Sequence, residues 1–387
     1  MMRAAPPSGF SLGYQPALDG LRAVSIVAVL AHHSHWLAGG FLGVDLFFAL
    51  SGFLITALLT EEFARTGTIT LGLFYARRAL RLLPALLVLL IVCTGSLIAT
   101  LPAEYGPLVI HAAAAVLFYV ANWAWLFHVS LFVFGHTWSL GIEEQFYLLW
   151  PCALLVLLRV SSPRRAFAMT AALAGVGVAW RQALVLAGAR FEHLYSGLDT
   201  HGDSLLIGCA LSLGLTAGLR MPGRSTLAAL VSLGGLAGLL AFATYPDSYV
   251  RYHVSSAAAL AVAPIIAHVV SEQRSPLTRL LAAAPLVAIG RISYGVYLWH
   301  FPVFYLFGLV TAPGAAATTS WLSIAASWAV SFGAAGISYA IVERPALVLK
   351  RTLQPLRNAP TSPHDSAPRS LTPIEHLDDA ATPRPRR

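Results

Sequence analysis

An arginine and a histidine eleven residues apart, Arg22 and His33 in LDGLRAVSIVAVLAHHSHW, open the first long apolar run of the chain. Eleven helical residues make about three turns and roughly 16 Å of rise, so both side chains return to nearly one face. A cation then stands near one membrane surface and an imidazole near the middle of the bilayer. Ionisable groups are costly in hydrocarbon, and those that persist usually face the protein interior and act there. A neutral imidazole accepts a proton from a hydroxyl at physiological pH, which makes His33 the candidate general base. The alternative is a buried histidine bonded to a neighbouring span. His32 points about 100° away and His35 lies nearer the outer surface, so each is the weaker candidate. Asp19, one turn before Arg22, pairs with it or binds a polar group at the cytoplasmic entrance, with helix capping as the alternative.

Four further segments carry groups of chemical interest. FYARRALRLLP brings Arg77, Arg78 and Arg81 together just before Pro84 opens the third span. Arg78 and Arg81 share a face and can fork onto phosphate oxygens; orientation of the chain by positive charge alone is the alternative. HTWSLGIEEQFYLLWP sets Glu143 one turn after Ser139 and one turn before Tyr147, with Trp138 nearby. Two adjacent carboxylates in an apolar helix are expensive, which favours function over a structural hydrogen-bonded glutamate. Glu143 is read as orienting or acidifying the imidazole, or as binding the acceptor, and Glu144 as facing the aqueous boundary. GRISYGVYLWHFP carries Ser293, Tyr297 and His300 on one helical face, either a site or a polar seam between helices. YSGLDTHGDSLLIG supplies Asp199, His201 and Asp203 on the expected outer side, suited to acceptor binding. That trio could also suggest a metal, but no second ligand cluster supports one, and none is expected. Cys93, Cys152 and Cys209 lie far apart in apolar runs and read as small buried hydrophobes.

The elements that hold these groups must be membrane helices. Of 387 residues, 57% are hydrophobic and 11% charged, with mean hydropathy +0.71; a soluble domain carries roughly a quarter charged residues. Apolar runs long enough to span fall at roughly 23–41, 42–60, 83–101, 138–158, 166–188, 204–219, 226–244, 254–271, 286–310 and 319–342. A stretch at roughly 108–127 is ambiguous, and the positive-inside rule decides it. Arg65, Arg77, Arg78 and Arg81 follow the second span and put that loop in the cytoplasm. Arg159, Arg164 and Arg165, and the later basic loops, also fall inside only if 108–127 dips in and returns. The expected fold is all-α and polytopic, about ten transmembrane helices plus one re-entrant or interfacial segment, with cytoplasmic termini. Residues 1–17 form a short cytoplasmic segment, 18–351 the transmembrane domain, and 352–387 a disordered cytoplasmic tail rich in Pro, Ser and Arg. The first span reads as uncleaved, since no A-x-A-like site follows it. The net charge of +8 sits in short loops and the tail, an anchoring pattern and not a nucleic-acid signature.

LDGLRA with its Arg-x10-His spacing, GVDLFFALSGFLI, FYARRALRLLP, TWSLGIEEQFYLLWP, GLDTHGDSLLIGCAL, GRISYGVYLWHFP and the closing VERP follow one another from Leu18 to Pro345. In that order they resemble membrane acyltransferase family 3, the integral inner-membrane O-acyltransferases. The resemblance implies a multi-pass protein of the inner (plasma) membrane. It would take an acyl group, usually acetyl, from cytoplasmic acyl-CoA (a substrate, with no permanently bound cofactor) and deliver it to a hydroxyl of a carbohydrate or other small acceptor. It also implies His33 as the catalytic histidine, Arg22 as its motif partner, Arg78 and Arg81 beside Arg77 in donor handling, and Glu143 as the acid of its motif. Family members commonly show Asp-Thr-Arg where this chain has Asp199-Thr200-His201, which removes a fixed cation from the acceptor region. Many also carry a fused extracytoplasmic domain. This chain is read as a stand-alone form that finishes the transfer itself or hands over to a separate extracytoplasmic transferase. Membrane lipid is an expected partner and nucleic acid is not. His33 would act as general base for direct attack on the thioester, or an acyl-enzyme relay would run through Ser293 or His33 itself. A transporter or flippase of a glycan or lipid intermediate is the rival function, against which stands the lack of half-to-half similarity. A scaffold subunit is disfavoured by His33 and Glu143.

Overall fold

The computed structural model describes residues 12–219, 226–242, 248–310 and 320–352. The expected tail lies outside them beyond residue 352. The helices in chain order are α1 (Pro16–His33), α2 (Gly43–Thr66), α3 (Leu71–Thr100), α4 (Gly106–Leu117), α5 (Ala121–Leu126), α6 (Trp138–Val160), α7 (Pro163–Leu186) and α8 (Phe191–Ser196). There follow α9 (Leu198–His201), α10 (Asp203–Thr216), α11 (Thr226–Phe242), α12 (Ser248–Ser271), α13 (Pro276–Leu281), α14 (Ala284–Leu306), α15 (Trp321–Ser338) and α16 (Arg344–Thr352). No strand occurs among the described residues. The protein is an all-α polytopic membrane protein. Six stretches, Ala38–Thr66, Leu71–Thr100, Phe132–Val160, Pro163–Leu186, Val254–Ser271 and Trp321–Leu349, are long and apolar enough to cross a bilayer.

Each expected span meets a helix, but three begin well before their apolar runs, α12 at Ser248 among them. The first runs Pro16–His33, not 23–41. Pro16 sits at the start of the helix, where its missing N–H costs nothing, and the helix ends because His35 takes a left-handed conformation at φ 61°. His33 therefore closes α1 instead of lying at mid-span. The third helix starts at Leu71 and runs on through Pro84, so Arg77, Arg78 and Arg81 sit inside it and not in a loop before it. The ambiguous stretch is broken into α4 and α5 at Phe118–Val120, with Tyr119 at φ 56°. Twelve residues of α4 reach about 18 Å, too short for the roughly 30 Å of hydrocarbon.

Backbone contact between helices fixes the frame around the site. A Cβ on Gly52 of α2 would lie 2.0 Å from the carbonyl oxygen of Leu205, and one on Gly208 of α10 1.9 Å from that of Ala49. Only glycine at both positions lets α2 and α10 touch. Gly20 on α1 and Gly290 on α14 do the same, meeting the carbonyls of Leu281 and Asp19 at 1.9 Å each. Hence α1 and α14 lie side by side, and their far ends bring His33 and His300 together.

Candidate active site

A cavity of about 770 Å³ lies between α1, α2, α3, α6 and α14, a volume suited to a sizeable ligand. On α2 its lining runs from Val44 to Arg65, about 31 Å of helix. Ser51 of α2 meets Glu143 of α6, and Thr56 meets Trp150, so α2 and α6 run parallel. One end of the cavity is thus formed where α2 ends, α3 begins and Tyr14 precedes α1. The other end is formed where α2 and α6 begin.

Five guanidinium groups line this space, those of Arg22, Arg65, Arg77, Arg78 and Arg81. Arg78 donates to Glu144 Oε1 at 2.9 Å and stacks on the Tyr147 ring, 3.4 Å from its centroid. Glu144 therefore does not face water as expected: it answers Arg78 inside the protein. Among the described residues Arg22, Arg77 and Arg81 have no carboxylate within 4.0 Å. Glu143 Oε1 accepts from Tyr147 Oη at 2.7 Å and from Ser51 Oγ. Of the roles expected for Glu143, orienting or acidifying the imidazole finds no contact among the described residues, since its oxygen is held by two hydroxyls on the cavity wall; binding a substrate there stays open to it. Asp19 does not pair with Arg22 either. It accepts from Tyr14 Oη at 2.9 Å and lies 4.0 Å from Arg291.

At the inner end, Tyr297 Oη donates to the His136 carbonyl at 2.7 Å. Its single hydrogen is thereby used, so Ser139 Oγ donates to Tyr297 across 2.5 Å. Ser293 also lines the cavity, its hydroxyl buried and without a partner among the described residues. Behind Tyr297 stands a cluster of imidazoles. The rings of His33 and His300 are 5.1 Å apart, those of His300 and His136 5.3 Å, and Tyr297 lies 5.4 Å from both His136 and His300. Phe301 closes the cluster, stacked on His136 and edge-on to His33.

His33 Nδ1 lies 3.1 Å from the Val29 carbonyl and His300 Nδ1 2.6 Å from that of Tyr297. A carbonyl can only accept, so each ring carries its hydrogen on Nδ1 and a lone pair on Nε2. His300 Nε2 and both nitrogens of His136 are buried with no hydrogen-bond partner among the described residues. His33 is half-buried and does not line the cavity.

The acceptor residues expected near 199–203 have a different fate. His201 bridges Asp45 at 2.8 Å and the Tyr195 carbonyl at 2.7 Å, and Ser204 adds a bond to Asp45 at 3.0 Å. Asp203 pairs with Arg181 and accepts from Ser256 at 2.6 Å. All of these side chains are buried, so His201 and Asp203 tie α2, α7, α10 and α12 together and do not line the cavity above. Asp199 remains partly exposed, held by Trp180 and His193 at 3.0 Å each. Trp138 is buried against Tyr195 and His201. Sequence reasoning passed over Ser51 and Arg181, and saw in His136 only a polar residue suited to a protein-lined cavity. Arg181 carried its own signal, an arginine within an apolar run; the other two acquire meaning only from partners on distant helices.

A family model described as "Acyltransferase domain" matches residues 15–343. The chain is 34% identical over 362 residues to the peptidoglycan O-acetyltransferase OatA of Listeria monocytogenes, across 87% of this chain and 56% of that protein. It is 34% identical over 325 residues to the O-acetyltransferase OatA of Staphylococcus aureus, across 76% of this chain and 51% of that protein. The chain thus spans about half the length of these relatives. No solved structure matches it.

Proposed function

The chain belongs to the acyltransferase-domain family, and from that membership we propose that it is an O-acetyltransferase of the plasma membrane. Its donor is acetyl-CoA taken from the cytoplasmic face, and its acceptor is a hydroxyl of a cell-wall carbohydrate. The relatives' names, which specify O-acetylation and in one case peptidoglycan, support the reaction and the acceptor class. The observation that carries the donor is the long cavity lined by Arg22, Arg65, Arg77 and Arg81, none of which has a carboxylate within 4.0 Å among the described residues.

Unanswered cations beside a cavity suit phosphate oxygens, which guanidinium groups hold in forked, charge-assisted pairs. Arg22, Arg77 and Arg81 would hold the nucleotide phosphates, while Arg78 is kept in place by Glu144 and Tyr147. The pantetheine arm would run along α2 and bring the thioester to the Ser139–Tyr297 pair. His33, with Nε2 free, would take the proton of the acceptor hydroxyl as its oxygen attacks the thioester carbonyl, and the C–S bond breaks to release coenzyme A. Because His300 and Tyr297 stand between His33 and the cavity, the Ser139–Tyr297 pair must part for the two substrates to meet. A relay through Ser293, whose hydroxyl faces the same space, is the competing route.

The test is acetyl transfer from labelled acetyl-CoA by membranes bearing wild type or His33→Ala at equal expression. Transfer to cell-wall glycan in the wild type, lost in the variant, is the expected result. Absence of donor turnover in the wild type, with acceptor glycan and longer acyl-CoAs supplied, would move the assignment to a transporter.

A further inference from the structure

We propose that Trp36 and Trp321, backed by Trp328, form a stacking platform for a pyranose ring of the acceptor glycan beside His33. The proposal rests on the transfer reading above and names where its second substrate binds. The cavity mouth lies at the start of α1, whereas His33 closes the opposite end of that helix. His33 is only half-buried, and it does not line the donor cavity. An acceptor reaching it must come from the far end.

What stands at that end is a built group of indoles. The rings of Trp36 and Trp321 are 5.2 Å apart at 43°, and those of Trp36 and Trp328 are 5.7 Å apart at 32°. Trp36 is 50% exposed and Trp321 73%. The turn that carries Trp36 is anchored at every residue after His33. Ser34 Oγ donates to the Leu30 carbonyl at 2.8 Å and accepts from Trp328 Nε1 at 2.7 Å. His35 is left-handed at φ 61°, its Nε2 donating to the Leu309 carbonyl at 3.0 Å. The Trp36 N–H reaches the Ala31 carbonyl at 2.9 Å. A left-handed histidine is strained, and such strain persists where the surroundings hold it for a purpose. Here it sets an open indole three residues beyond His33.

A pyranose presents one face of C–H groups, which matches the electron-rich face of an aromatic ring, and a rim of hydroxyls that indole N–H and imidazole groups can meet. Tryptophans that anchor a protein at the membrane surface form a belt around it. Here Trp321 and Trp328 both pack on Trp36 beside His33, a cluster at one place and not a belt.

The probe is a soluble tetrasaccharide of alternating N-acetylglucosamine and N-acetylmuramic acid, bound at equilibrium to the full-length protein in nanodiscs. The wild type should bind it. Trp321→Ala should bind it at least tenfold more weakly and raise KM for the glycan with KM for acetyl-CoA unchanged. Trp321→Tyr should restore most of the affinity, and Trp180→Ala, an exposed tryptophan outside the platform, should leave it unchanged. Full affinity in folded Trp321→Ala and Trp36→Ala, or no binding by the wild type, would overturn the platform. Binding without acetyl transfer would instead sink the transferase reading and leave the platform standing.

Discussion

Two regions of this bundle bury arginine in opposite ways. Between α7, α10 and α12, Arg181 is met by Asp203 and Ser256, and beside it His201 is met by Asp45 and a backbone carbonyl. Around the cavity, Arg22, Arg77 and Arg81 are left without carboxylates among the described residues. A buried charge whose partners lie within the protein, as Asp203 and Ser256 do for the Arg181 guanidinium, has little left to offer a ligand, and removing one partner is costly. A charge left unanswered in an open cavity is held in reserve for one. The contrast separates framework from site more reliably than residue type does, since both regions contain arginine, acid and histidine.

The contrast can be broken most severely at His33. His33→Ala should lower acetyl transfer by about two to four orders of magnitude, the usual worth of a general base, with the melting temperature unmoved. A variant that melts early would place His33 among the framework residues. Next in size is Arg181→Ala, which leaves Asp203 buried and unpaired. It should cost about 3–5 kcal/mol of stability, read as poor expression and early unfolding, while the protein that does fold keeps its affinity for acetyl-CoA. Arg81→Gln should do the reverse, raising KM for acetyl-CoA about ten- to hundredfold, the worth of a hydrogen bond to a charged group, without destabilising the bundle. The smallest effect expected is from Ser139→Ala, which removes one neutral hydrogen bond to Tyr297. About 1 kcal/mol of stability should go, measured by unfolding of the purified protein.

The order of apolar runs was legible because ten long hydrophobic stretches leave the chain few other folds, and each run did become a helix. Helix ends were not legible from hydropathy. α1 starts seven residues early, at Pro16, and α3 twelve residues early, at Leu71, because turns that carry Arg22 or Arg77 continue a helix perfectly well once the charges face a cavity. Spacing along one helix put Arg78 with Arg81 and Glu143 with Tyr147, and the fold brings both pairs to one cavity. Spacing could not show that Glu144 would answer Arg78, or that Ser139 would reach Tyr297 across 158 residues. The same limit applies to His201 and Asp203. Their close spacing suggested a site, but the partners that make His201 and Asp203 structural, Asp45 and Arg181, sit on other helices.

The most direct test of reserved against answered charge is the shift in thermal unfolding that coenzyme A produces in the purified full-length protein. The account predicts that the ligand raises the melting temperature of the wild type. It also predicts that the shift disappears in a variant with Arg22, Arg77 and Arg81 all changed to Gln. A shift of full size in that triple variant would contradict it, as would a wild type indifferent to saturating coenzyme A.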